Sequence, residues 1–267
     1  AHSHSSVEKA ALLAGFGRDN LRLVACDADD AMDPVALSAM IAEDRAAGKI
    51  PAAIVASSGT TSVLAFDPLD QIATVAAREG VWLHVDAAMA GAALLLPEMR
   101  DRFAGIDRAD SLVINAHKWL GVPFDCSLYY VRDPALLERV MSTNPAYLQS
   151  RQDGAVVNYR DWGLPLGRRF RALKLWFVLL DQGIDGLQAR LRRDIDNAHW
   201  LGEQVATTPD WRLVRPVRLQ TVCIRHEPAD LSGEALDAHT KLWADRVNDS
   251  GLAWVSPSKV GDEWLVR

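Results

Sequence analysis

The motifs His-Val-Asp-Ala-Ala at residues 84–88 and Asn-Ala-His-Lys-Trp-Leu at residues 115–120 decide which fold we expect. Each motif contains the end of a short apolar strand, and the two strands stop at Asp86 and just before Lys118. Ligands of an open α/β sheet bind beyond the carboxyl ends of its strands. We therefore expect the carboxylate of Asp86 and the amine of Lys118 to face one crevice.

This aspartate and this lysine have a specific chemical use as a pair. A lysine amine can form a Schiff base with an aldehyde, and an aspartate can hold a pyridine nitrogen protonated by charge pairing. Together they provide what pyridoxal phosphate (PLP) needs from a protein, namely covalent attachment and support of the ring as an electron sink. The pair alone is equally compatible with a surface lysine and a strand-end aspartate of no chemical role.

The complete motifs resemble those of the group II PLP-dependent decarboxylases, and in particular the aromatic-L-amino-acid decarboxylases. Matching stretches occur along nearly the whole chain: His-Ser-Ser-Val-Glu-Lys-Ala at 4–10, Gly-Thr-Thr at 59–61, Phe-Asp-Cys at 124–126 and Pro-Leu-Gly-Arg-Arg-Phe-Arg at 165–171. Several motifs in one order are more specific than any single motif. The resemblance implies the α/β fold of the fold type I PLP-dependent transferases.

The resemblance also implies PLP as cofactor and gives several residues a role in binding it. Lys118 would hold PLP covalently, and Asp86 would pair with its pyridine nitrogen. His4 would stack on the ring, Ala88 would permit close approach to the ring, and Thr61 would hydrogen-bond Asp86. Without the family match, His4 is a solvated terminal histidine and Thr61 an ordinary turn threonine.

Asn115, His117 and Tyr147 complete the implied site. Asn115 and His117 match cofactor-contacting positions, with Asn115 near the phosphate; otherwise they are strand-end polar groups satisfied by the backbone. Tyr147 matches a tyrosine on a mobile loop that protonates the substrate carbon after carbon dioxide leaves, as a phenol within reach can do; otherwise it is an exposed loop residue. The predicted catalytic residues are Lys118, Asp86, His117 and Tyr147, and no metal ligands are expected.

Three further positions bear on the substrate. Gly167 matches a position associated with room for an indole-sized substrate. Met89 stands where an aromatic residue is common, which leaves the exact substrate open. Arg168, Arg169 and Arg171 lie in a structurally important segment of the family, and each could form a salt bridge or touch substrate.

Composition excludes several other classes of protein. The chain has 267 residues, of which 49% are hydrophobic, and a formal net charge of −6. An acidic chain without a basic patch has no electrostatic footprint for nucleic acid. No apolar run is long enough to span a bilayer, and no signal peptide is visible. Cys26, Cys126 and Cys223 are widely spaced, which indicates a reducing compartment and hence a cytoplasmic protein.

Strand-like and helix-like segments alternate through most of the chain, which predicts a mostly parallel sheet flanked by helices. We expect residues 1–206 to form a PLP-binding large domain without its N-terminal part. Residues 207–267 would begin a small, incomplete C-terminal α+β domain. The family extends beyond both ends of this sequence, so we expect an internal piece of a longer enzyme. Local patterns also predict a strand at 21–25, and helices at 168–182 and 186–206.

The function that these observations predict is PLP-dependent decarboxylation of an L-amino acid to the amine and carbon dioxide, and the resemblance favours an aromatic amino acid. The resemblance also implies a homodimer with shared active sites. One alternative is a decarboxylase of acidic or diamino acids from the same group. The other is a non-catalytic fragment or interaction subunit.

Overall fold

A computed structural model describes residues 2–143 and 155–267. The described helices are α1 (Ser6–Leu13), α2 (Pro34–Ala46), α3 (Leu69–Glu79), α4 (Pro134–Met141), α5 (Ala172–Thr207) and α6 (Gly233–Asp249). The described strands are β1 (Ala53–Ser57), β2 (Trp82–Asp86), β3 (Ser111–Asn115), β4 (Ser127–Val131), β5 (Trp211–Leu213), β6 (Ile224–His226), β7 (Pro257–Val260) and β8 (Glu263–Val266).

The strands form two sheets of different character. The first has the order β1-β2-β3-β4, in which β1, β2 and β3 are parallel and β4 is antiparallel to β3. The second has the order β5-β6-β8-β7 and is antiparallel throughout. The predicted α/β architecture, with a mostly parallel sheet and a smaller α+β unit, is therefore confirmed.

One face of the first sheet is covered by α2 and α3. Side chains alternate between the two faces of a strand, so Leu83 and Val85 of β2 both enter the core, where they are 1% and 0% exposed. They belong to one cluster with Ile72 of α3. Burial of one such side chain contributes about 1.5–3 kcal/mol. His84 and Asp86 consequently point to the opposite face of the sheet.

Local sequence signals explain where the two covering helices begin and end. The Asp33 carboxylate accepts a hydrogen bond from the Val35 N–H at 2.8 Å, and Pro34 occupies the first position of α2, as helix starts favour. α3 ends at Gly80, whose φ of 62° is left-handed. Glycine adopts this conformation without a steric penalty.

The predicted strand at residues 21–25 is wrong. Within the described residues this segment contains no strand, and an isolated bridge between Cys26 and Met32 is the nearest feature of that kind. Leu23 is 66% exposed, so its alternation with polar neighbours does not reflect burial. A strand needs a neighbour to satisfy its backbone groups, and local sequence carries no information about that neighbour.

Other elements differ from the predictions mainly at their ends. The helix predicted from residue 168 begins at Ala172. Gly183, with φ 62° and ψ 176°, interrupts α5, which agrees with the two helices predicted there. The sequence pattern did not predict α4, although Asp133 accepts a hydrogen bond from the Ala135 N–H at 3.0 Å and Pro134 follows it directly.

The second sheet packs against the loop that follows β1. Val63 and Ala65 of this loop are buried in one cluster with Cys223 and Leu265. The boundary between the two predicted domains stays a prediction. Within the described residues, no helix combines the length and the apolar character that crossing a membrane requires.

Substitution of Leu83 by alanine tests the role of the β2 face in stability. We expect Leu83→Ala to lower the free energy of unfolding by about 2–5 kcal/mol, because a fully buried leucine leaves a cavity. Leu23→Ala is the matched control, since a 66% exposed leucine should change stability by less than about 0.5 kcal/mol. Urea unfolding measures both, and equal effects would contradict this assignment of the core.

Candidate active site

A cavity of about 410 Å³ lies at the carboxyl ends of β1, β2 and β3, on the face opposite α3. All the cofactor-binding residues predicted within the described residues line it: His4, Thr61, Asp86, Ala88, Asn115, His117 and Lys118. Asp86 and Lys118 therefore share one crevice, as the strand ends predicted. The pattern did not single out Ser57, which also lines the cavity and pairs with Asp86 across β1 and β2. Ser57 is the last residue of β1, so the rule that ligands bind beyond the carboxyl ends of strands would have identified it.

Asp86 is held at the end of β2 by its own backbone and by the turn that follows. Its carboxylate accepts a hydrogen bond from the Ala88 N–H at 3.0 Å, and its carbonyl accepts one from the Ser58 N–H at 2.8 Å. These bonds orient the side chain while leaving it partly accessible from the cavity. Ala88, whose side chain is only a methyl group, lines the cavity together with Asp86.

A neutral histidine lies behind Asp86 on the same face of β2. The Ser111 hydroxyl accepts a hydrogen bond from the Trp82 indole at 2.9 Å and lies 2.8 Å from His84 Nδ1. Since this hydroxyl accepts from Trp82, its own proton is available to His84 Nδ1. Burial lowers the pKa of His84, and the nearby charge of Asp86 opposes that shift only in part. Asp86 therefore has an uncharged neighbour in the sheet.

His117 is fixed through its Nδ1 atom by the backbone of Cys126. The Cys126 N–H donates to His117 Nδ1 at 3.1 Å, and the Cys126 carbonyl accepts from the His117 backbone N–H at 3.1 Å. The Cys126 carbonyl also lies 3.0 Å from Nδ1, so the Cys126 backbone offers this nitrogen both a donor and an acceptor and can hold the ring in either tautomer. The ring of Phe124 packs edge-on against the imidazole, with centroids 4.9 Å apart.

The other polar lining residues are held by short local hydrogen bonds. Asn115 Oδ1 accepts from the Ser127 hydroxyl at 2.7 Å. His4 Nδ1 accepts from the Ser6 N–H at 3.2 Å and lies 2.9 Å from the Ser6 hydroxyl. Lys118 has an exposed side chain and lies in the turn that follows β3.

The loop after β1 carries Thr61 to the cavity by a tight turn. Gly59 has a φ of 86°, and a Cβ atom on it would lie 2.4 Å from the Cβ of Ala90. The Thr61 carbonyl accepts a hydrogen bond from Arg267. Among the described residues, Thr61 and Asp86 form no hydrogen bond with each other. That expectation is therefore wrong, although both residues line the cavity. Asp86 is instead held by the backbone of its own turn.

The remaining predictions concern residues other than the cofactor-binding set. Tyr147 lies outside the described residues. Gly167 is not among the cavity-lining residues, whereas Met89 is. Arg171 forms an ion pair with Asp125, with its Nε 3.1 Å from Asp125 Oδ1, and this hydrogen bond lowers the pKa of Asp125. A salt bridge therefore accounts for Arg171.

The described residues contain no group of three or more His, Cys, Asp and Glu side chains that could hold a metal ion. A larger surface depression of about 510 Å³ runs along α6 beside Trp264 and contains no predicted site residue. Of these two cavities, the one at the strand ends is the one in which reactive side chains converge. It offers an amine for an aldehyde, a carboxylate for a pyridine nitrogen and an imidazole for a ring face. Its donor set fits PLP.

The comparisons with known proteins agree with this fold and donor set. Residues 1–227 match the pyridoxal-dependent decarboxylase conserved domain, and the chain belongs to this family. Tryptophan decarboxylase TDC1 of Camptotheca acuminata is 40% identical over 273 residues, covering 99% of this chain and 54% of that protein. Aromatic-L-amino-acid decarboxylase of Drosophila lebanonensis is 40% identical over 267 residues, covering all of this chain and 64% of that protein.

A solved structure extends the likeness to three dimensions. The crystal structure of Oryza sativa TDC with PLP and tryptamine superposes with a TM-score of 0.95 at 36% identity, covering 99% of this chain and 56% of that chain. The present chain thus spans a little over half the length of the relatives that it matches.

Substitution of Gly59 by alanine tests the tight turn at the cavity. Gly59→Ala should weaken PLP binding and destabilise the protein by more than about 2 kcal/mol, because strain at positive φ adds to a clash with Ala90. Gly48→Ala isolates the strain, since Gly48 has φ 74° but no atom within 4 Å of an added Cβ. Unfolding and PLP titration measure both variants. Equal losses in the two would contradict a role for close approach to Ala90.

Proposed function

We propose that this chain carries the PLP-binding site of a decarboxylase that converts an aromatic L-amino acid to its amine and carbon dioxide. The observation that supports this most is the convergence of Lys118 and Asp86, from neighbouring strand ends, on one cavity lined by His4, Asn115 and His117. The names of the two relatives above support the aromatic substrate class.

Each polar residue of the cavity would contact a different part of the cofactor. PLP, when bound, supplies the electron sink that makes loss of a carboxylate feasible. The Lys118 amine would attach to its aldehyde, and Asp86 would hold the proton on the pyridine nitrogen. The His4 imidazole would cover one face of the ring. Asn115 would lie near the phosphate, and His117 would also contact the cofactor.

Tyr147 is the proposed proton donor to the substrate carbon that loses its carboxylate. A phenol can deliver a proton where carbon dioxide has left and thereby direct the reaction to the amine. His117 is the second candidate for this proton, because an imidazole can act as a general acid and its ring lines the cavity.

Lys174 is not available for the role proposed for Lys118. Its Nζ donates to the carbonyls of Pro123 and Asp125 at 2.9 and 2.7 Å. Lys118, in contrast, has an exposed side chain and lines the cavity. The cavity therefore has one lysine suited to covalent attachment among its lining residues.

Replacement of Lys118 tests the proposed function directly. In the parent chain with PLP, borohydride reduction followed by peptide mapping should place the pyridoxyl group on Lys118. Lys118→Ala should lose this label and all turnover, because no other lining residue bears an amine. Lys9→Ala, which alters an exposed lysine of α1, is the control and should keep both.

The same experiment separates the rival functions. Label on Lys9 or Lys174 would contradict the assigned site, and absence of any label with intact folding would favour a non-catalytic fragment. Amine release from a panel of tryptophan, tyrosine, DOPA, glutamate and diaminobutyrate decides the substrate class. Faster release from glutamate or diaminobutyrate would replace the aromatic assignment.

We further propose that two copies of the chain associate through the first half of α5. Leu173, Trp176, Phe177 and Leu180 recur at helical spacing, and each is between 40% and 63% exposed. Other residues of the same half, Leu175 and Val178, pack into the core, so this stripe is a second apolar face. Contiguous exposed apolar surface of this kind marks interaction sites, and a second copy presents the same stripe.

Introduction of a charge into the stripe tests this association. Trp176→Glu should weaken the dimer by about 2 kcal/mol or more, the typical effect of losing a buried aromatic anchor. Trp254→Glu is the control, because Trp254 is 83% exposed and lies outside the stripe. Sedimentation equilibrium measures both, and a monomeric parent chain would contradict the proposal.

The cytoplasm is the compartment that we propose for this protein. All three cysteines are free thiols, and Cys126 and Cys223 are buried. Free buried thiols persist in a reducing environment. Retention of three titratable thiols in the unfolded protein isolated without reductant would support this compartment.

A further inference from the structure

Lys118 lies in a turn whose backbone is only partly held by the sheet. Its N–H donates to the Asn115 carbonyl at 3.0 Å, and its carbonyl accepts from the Gly121 N–H at 3.0 Å. The next two residues, Trp119 and Leu120, are 8% and 7% exposed. A carbonyl in such surroundings needs a hydrogen-bond partner, and here the partner comes from α5.

Arg190 of α5 supplies both missing donors. Its Nη1 donates to the Trp119 carbonyl and its Nη2 to the Leu120 carbonyl, each at 2.9 Å. Its Nε donates to Gln182 Oε1 at 3.2 Å, which fixes the plane of the guanidinium. One turn further along α5, Asp194 Oδ2 accepts from the Trp119 indole at 3.0 Å.

We propose that Arg190 is a positioning residue for Lys118, because from α5 it fixes the two carbonyls that follow Lys118 and thereby sets where the amine lies in the cavity. The inference rests on the proposed function of Lys118. A lysine side chain is flexible, so the location of its backbone decides which part of the cavity the amine reaches. Misplacement of a reacting group by about 1 Å costs on the order of 100-fold in rate.

Two neighbouring arginines of α5 make a matched comparison. Arg190 bonds to the turn of Lys118, whereas Arg192 bonds to Glu98, with its Nε 2.6 Å from Glu98 Oε1 on an exposed surface. The variants are Arg190→Gln, Arg190→Lys and Arg192→Gln in the full chain. Arg190→Lys keeps the positive charge, so it provides a second test if Arg190→Gln fails to fold.

Two ligands separate positioning of Lys118 from general damage to the cavity. PLP can be captured covalently by Lys118, and borohydride reduction at increasing PLP concentrations measures that capture. Pyridoxamine phosphate has no aldehyde, so its affinity reports the shape and charge of the cavity without Lys118 attachment. Thermal melting of each variant measures its folding.

We expect Arg190→Gln to weaken covalent capture of PLP about tenfold, the factor that one hydrogen bond to a charged group is worth. Binding of pyridoxamine phosphate by this variant should stay within about twofold of the parent. Arg190→Lys should recover part of the capture, because an ammonium can reach a carbonyl but lacks the planar fork. Arg192→Gln should match the parent with both ligands.

Capture of PLP by Arg190→Gln equal to that of the parent would overturn this role. So would parallel losses of PLP and pyridoxamine phosphate, which indicate a general effect on the cavity. If the parent chain itself gave no label on Lys118, the proposed function and this role would both fall. Label in the parent that survives the Arg190 substitutions unchanged would remove the role of Arg190 alone.

Discussion

The parallel register of β1, β2 and β3 is the constraint on which the candidate site depends. It places Ser57, Asp86 and Val113 in one row at the cavity. A slip of one residue in β2 would exchange its two faces, so that Asp86 would enter the core and Val85 would face the cavity. Burial of Leu83 and Val85 contributes a few kcal/mol, and an uncompensated buried carboxylate costs several more. Packing of the core therefore determines where the carboxylate points.

The segment that contains Lys118 needs support from outside the sheet, because it begins where β3 ends. α5 provides that support on both sides of Lys118. Lys174, in its first half, bonds the carbonyls of the loop that carries Cys126 and so holds His117. Arg190, in its second half, bonds the carbonyls directly after Lys118. Helix and strand together, rather than the sheet alone, hold the segments that line the cavity.

The parts of this architecture that sequence predicts are the ones encoded by local periodicity. The buried side of β2, the helical spacing of α3 and the polar residues at strand ends can all be read from a few neighbouring positions. The family resemblance located His4 and Thr61, which also line the cavity. Both the strand at 21–25 and the bond from Thr61 to Asp86 were wrong, because each depends on a partner that neighbouring sequence does not specify. Arg190 was missed for the same reason, since its carbonyl partners are about 70 residues away.

The two halves of α5 differ in what covers them, although their apolar spacing is similar. After Gly183, Leu187, Leu191 and Ile195 are buried inside this chain. Before Gly183, Trp176 and its apolar neighbours face outward. Gly183 interrupts the helical geometry, so the two halves can orient their faces independently. Helical periodicity predicts that an apolar stripe will be buried. Only the fold determines whether the residues that bury it belong to the same chain or to a second one. A second copy bound to the first half of α5 would then also stabilise the helix from which Arg190 contacts the turn of Lys118.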